Sequence, residues 1–209
     1  MPQPLATALQ RAGTGRLVRD AVLARRAAAG DDAAAEALLA RHREPIERTL
    51  AVTVAVGDRV AVAAAMTMEA ARAQLAAGLR DGVPPKLALL AIAVERAGFA
   101  NAAPGASTPA PLAGEPAAQA ALRTELASRP LPERAALALT RTVGLSAAAA
   151  AVVLGTSADH VRALALSAHE ALSVAPAAGP ECGPARAAIS ASGRVMAPSG
   201  AAHLRACAA

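Results

Sequence analysis

At 209 residues, 55% of them apolar, the chain has material for one medium hydrophobic core or two small ones. It contains no Trp, no Tyr and one Phe (Phe99), and alanine fills roughly a third of it. A core of Leu, Val, Ile and Ala suits close-packed helices; it excludes aromatic stacking on single-stranded bases, and two cysteines exclude a disulfide scaffold. The net charge of +5, with Lys86 the lone lysine among 21 basic residues, permits a nucleic-acid partner without requiring one.

Residues 1–16 read as a flexible leader, and Arg11, Arg16, Arg19, Arg25 and Arg26, spread through Met1–Gly30, leave no uncharged core, so no signal peptide is expected. A helix is expected from Leu17 to Ala29, with Leu17, Val18, Ala21, Val22 and Ala28 inward and Gly30 as its stop. Asp31 or Asp32 caps a helix from Ala33 to His42 with Leu38 and Leu39 inward, and Pro45 opens a third that runs to about Val56. His42, between Arg41 and Arg43, is expected to be solvated. After a Gly57-Asp58 turn, Arg59 to Leu79 forms one alanine-dense helix, and Lys86 to Arg96 forms another that ends near Gly98. These elements make a first helical domain over 17–100.

Residues 101–120, with four Pro and two Gly before Gln119, read as a flexible linker. The second domain, 121–174, has a short helix over Leu122 to Ala127 and a helix restarting at Leu131-Pro132 and ending at Val143. Ser146 then caps a two-turn helix that buries Val152 and Leu154. Gly155 turns the chain, and Ser157 caps a last helix packed back through Val161 and Leu164. That is the pattern of a helix-turn-helix, although an ordinary antiparallel helix pair would share it. The fold class expected is therefore all-α, two small helical domains joined by a Pro/Ala-rich linker.

From Leu131-Pro132-Glu133-Arg134 through Gly144-Leu145-Ser146, Leu154-Gly155-Thr156-Ser157 and Val161-Arg162 to Ala171-Leu172, about forty ungapped residues resemble region 4 of the extracytoplasmic-function (ECF) sigma factors. Gly30-Asp31-Asp32, Glu36-Ala37-Leu38-Leu39, Gly57-Asp58-Arg59 and Pro84-Pro85-Lys86-Leu87 are similar to region 2 of the same family. The resemblance implies a transcription-initiation protein that binds RNA polymerase core and reads promoter DNA. It implies DNA contacts at Ser157, His160, Arg162 and His169, and polymerase contacts at Asp31, Glu36, Arg59 and Glu69. An anti-sigma factor is a further partner it implies. The family's acidic, Gln-containing helix is here mostly alanine, keeping Glu69 and Gln74, and Arg162 is the one arginine on the recognition helix. That replacement favours the alternative: a degenerate sigma-like regulator that binds polymerase or an anti-sigma factor without starting transcription. A stand-alone helix-turn-helix repressor or activator is a third reading.

The tail, 175–209, is expected to be flexible and carries Cys182, His203 and Cys207. Three such donors suit Zn²⁺, and the end of the chain faintly resembles a zinc-binding anti-sigma domain; two reduced cytosolic cysteines and a surface histidine are the competing reading. No phosphate-binding glycine loop, metalloprotease motif or nucleophile elbow occurs, so no enzymatic activity is expected. No stretch makes a convincing membrane span, so the expected location is the cytoplasm, with no membrane partner.

Overall fold

Alanine, the best helix former, carries the backbone from one leucine to the next, and the computed structural model describes the result over residues 19–55, 59–80, 82–102 and 117–174. Among these residues every regular element is helical and no strand occurs. The order is α1 (residues 19–28), α2 (Asp32–Thr53), α3 (Arg59–Ala77), α4 (Pro85–Ala102), α5 (Ala117–Ser128), α6 (Leu131–Leu137), a π-helical segment (Ala138–Thr142), α7 (Ala147–Leu154) and α8 (Ala158–Val174). The expected leader, the Gly57-Asp58 turn and the tail lie outside the described residues. So does most of the linker, although residues 101–102 and 117–120, expected within it, are helical.

Gly30 ends α1 at φ +90°, a conformation open to a residue without Cβ, and the Asp31 side chain then accepts the Ala34 N–H at 2.9 Å to start α2. Pro45 does not open a new helix, because α2 runs through it. Leu38, Leu39, His42, Ile46, Thr49, Leu50 and Thr53 recur at three- and four-residue steps and are all buried. One continuous inward face of that length outweighs the roughly 3 kcal/mol that an interior proline costs. Gly98 likewise does not end α4, which continues to Ala102. A Cβ there would stand 3.3 Å from Leu131 Cδ2, so the glycine is the point at which α4 and α6 approach closely.

α1 also turns differently from expectation. Ala21, Val22 and Ala28 face solvent, whereas Asp20 and Ala27 are buried and Leu23 and Ala24 half-buried. The cause is an ion pair: Asp20, 4% exposed, accepts from Arg41 Nη1 at 2.5 Å and lies 2.9 Å from His42 Nε2. His42 is therefore buried rather than solvated.

Two cores result. The first joins α1 to α4 through Leu38, Leu39, Ile46, Leu50, Leu75, Leu89 and Ile92, with alanines at the close contacts. Thr49, Thr53 and Thr67 sit in it by donating their hydroxyls to carbonyls four residues back, at 2.7–2.9 Å. Asn101, near the end of α4, accepts from Ala55 N and donates to the Thr53 carbonyl, fastening the end of α2. The second core contains Ala136, Leu139, Ala150, Val153 and Val161 of the C-terminal half, and also Leu90 of α4, with Leu87, Ala91 and Val94 packed against it. α4 thus contributes one face to each core.

Candidate functional site

The C-terminal elements form a right-angled helix pair. Ser146 Oγ accepts the Ala149 N–H, Gly155 takes the left-handed conformation at φ +63°, and Ser157 Oγ accepts the His160 N–H. The axes of α7 and α8 meet at 96°, within the range of helix-turn-helix pairs. One expectation about its packing is overturned. Val153 is buried with Ala150, while Val152 is exposed and Leu154 only half-buried. An all-alanine approach offers no apolar contrast around the helix, so the tertiary contact with Leu90 and Leu139 selects the face.

The four residues proposed to meet DNA are divided between two sides of α8. At about 100° per residue, Arg162 and His169, seven apart, share a face, and His160 lies two and a half turns from His169 on the opposite side. Arg162 and His169 line an outward cleft with Thr140, Arg141, Leu145 and Leu166. His160 instead lines a cleft of about 410 Å³ at the junction with α4 and α6, beside Glu95, Val94, Leu131 and Leu164. Ser157 is engaged as the helix cap. Arg162 forms an ion pair with Asp159 one turn before it. Arg141 was not singled out from the sequence. Its signal is the π-helical segment, where Val143 N–H reaches Ala138 O five residues back at 2.9 Å.

The residues proposed for polymerase binding are mostly engaged within the chain. Asp31 caps α2 and accepts from Arg26 Nε at 2.8 Å; the Ala34 N–H, then Arg26, hold its carboxyl below the usual range. Glu36 of α2 pairs with Arg72 of α3 at 2.5 Å, and that bond lowers the Glu36 pKa and raises that of Arg72. Arg59 Nη1 donates to the Ala100 carbonyl at 2.9 Å, tying the start of α3 to the end of α4. Glu69 stands exposed on α3, one turn before Arg72.

Beneath the site, Arg134 of α6 is 4% exposed, and its Nε and Nη1 have no hydrogen-bond partner. Burial pushes its pKa down. Among the described residues no group of three or more His, Cys, Asp or Glu is placed to hold a metal ion. Cys182, His203 and Cys207 lie outside the described residues. No single described helix is long and apolar enough to cross a bilayer.

Among solved structures, the chain is similar to the structure of CnrH in complex with the cytosolic domain of CnrY. The two share 24% sequence identity at a TM-score of 0.56, over 74% of this chain and 95% of that one. At this identity the likeness is one of fold. No protein-family model matches the sequence, and a search of curated proteins finds no match.

Proposed function

We propose that this chain is a sigma-like regulatory protein of the ECF type that acts in the cytoplasm by binding another protein, with no chemistry of its own. The observation that carries the reading is the likeness in fold to CnrH, an ECF-type sigma factor seen with the cytosolic domain of its anti-sigma partner CnrY. That likeness agrees with the motif resemblance read independently from Leu131 to Leu172. The engagement of Asp31, Glu36 and Arg59 within the chain supports a regulator more than a protein offering those side chains to polymerase.

A second reading is favoured by the outward placement of Arg162 and His169 on α8: the protein joins RNA polymerase core and reads promoter DNA to start transcription. One reconstitution separates the two. Gel filtration with polymerase core from the source organism, and with candidate anti-sigma cytosolic domains, reports protein binding. Open-complex formation on a mixed genomic template, with Arg162→Ala as control, reports initiation. Co-elution without open complexes is the expected result for the regulator. Open complexes lost in the control would establish the initiation factor, and failure to co-elute with any of these proteins would overturn both.

A further inference from the structure

The outward cleft beside α8, about 430 Å³ in volume, brings a guanidinium from another element to the face that carries Arg162 and His169. Arg141 owes that position to the π-helical segment. In an uninterrupted α-helix, residues seven apart share a face, which would turn Arg141 the same way as the buried Arg134. The π-helical turn acts as a one-residue insertion and rotates the residues after it by about a quarter turn. Arg141 accordingly stands exposed, lining the cleft.

The cleft walls combine three nitrogen-bearing side chains, Arg141, Arg162 and His169, with the apolar flanks of Leu145 and Leu166. The Thr140 hydroxyl donates to the Ala136 carbonyl, which leaves the nitrogens as the donors. Asp159 sits beside Arg162, so the second guanidinium supplies positive charge that the paired one has partly neutralised. Cations from two elements flanking a helix angled out of a 96° pair match the groove edge of a duplex, where phosphates run past the protein.

We infer that Arg141 is a backbone-phosphate contact for double-stranded DNA, gripping the strand beside the groove that α8 enters with Arg162 and His169. This rests on the second, DNA-reading function stated above. It assigns a contact outside the helix-turn-helix motif, supplied by an irregularity in the helix before it.

The test is fluorescence anisotropy of the full chain with a labelled 25-base-pair duplex across a series of salt concentrations. Wild type is compared with Arg141→Ala, Arg141→Lys, Arg162→Ala and Arg48→Ala, the last removing the same charge from the exposed side of α2. Neutralising one phosphate contributes about 0.9 to the slope of log affinity against log salt. Arg141→Ala is expected to weaken binding several-fold at low salt and to flatten that slope by about one, with Arg141→Lys close to wild type and Arg48→Ala unchanged. If Arg162→Ala flattens the slope and Arg141→Ala does not, the cleft assignment falls while the DNA-reading proposal stands. If wild type binds no duplex, the Arg141 assignment falls, and the DNA-reading proposal is decided by the open-complex assay described above. Inorganic phosphate at matched ionic strength is the remaining arm, and displacement beyond that by chloride would identify a small-anion site and overturn the duplex assignment.

Discussion

The carboxylate of Asp20 stands 2.9 Å from Nε2 of His42, and this buried contact joins α1 to α2. Burial holds the His42 pKa below its ordinary 6.5, against the opposing pull of Asp20, with Lys86 of α4 and Arg41 adding to the depression. The folded ring is thus neutral and donates from Nε2, while the unfolded chain takes up the proton first as pH falls. Stability from this group is full above about pH 6.5 and declines as pH drops towards the folded-state value. Thermal melts should show a falling midpoint from pH 7 to 5, and His42→Gln should flatten that dependence. Equal slopes in both proteins would refute the assignment. Asp20→Ala, which strands two donors, should cost about 2–4 kcal/mol in a denaturant titration, the half-exposed Arg41 adding little of it.

Leu90, 1% exposed, belongs by sequence to the N-terminal half and by packing to the core of the C-terminal half. Leu90→Ala should cost about 2–5 kcal/mol. It should also divide unfolding, because the contact it weakens couples the two cores. Calorimetry is expected to record one transition in wild type and two in the variant; a single transition merely shifted to lower temperature would argue against the coupling.

Gly98 is tested by size. Alanine gains about 1 kcal/mol of helix propensity and must displace Leu131 Cδ2, now 3.3 Å from where its Cβ would be, by a few tenths of an ångström. Gly98→Ala should therefore fall within about 1 kcal/mol of wild type. Gly98→Val brings a branched group that cannot yield and should destabilise by about 1–3 kcal/mol. Urea unfolding of the pair reads the difference.

Arg134 is expected to behave unlike most core residues. With two nitrogens lacking acceptors, the buried guanidinium costs the fold more than a methionine of similar bulk. Arg134→Met should raise the unfolding free energy by about 1–3 kcal/mol and increase the melting temperature. A loss of stability would mean that the cation finds acceptors when the protein is in water.

Local chemistry made part of the fold legible. Ser146, Ser157, Gly30 and Gly155 were readable because a cap or a left-handed turn is set by the residue that makes it. The orientation of the alanine-rich helices was not, since a helix such as Ala147–Leu154 offers nothing to prefer Val153 over Val152 until a partner is present. Asp20 and His42 lie 22 positions apart, and their pairing is a tertiary fact. The π-helical segment, 138–142, has no compositional mark, so the outward turn of Arg141 is not legible in the sequence; the separation of His160 from Arg162 and His169 follows instead from the regular turn of α8.

Of α4's eighteen residues, only Glu95, Phe99 and Ala102 are exposed. Arg96 lies over the Phe99 ring at 5.2 Å, screening part of what remains. A molecule that recognises the Leu87–Leu90–Val94 face is consequently a competitor of α7, and it meets only the fraction of chains in which the two halves have parted. Its measured affinity equals its intrinsic affinity multiplied by that fraction. Substitutions that loosen the seam would thus strengthen such binding without touching the bound molecule, and affinity for α4 becomes a gauge of how often the chain opens.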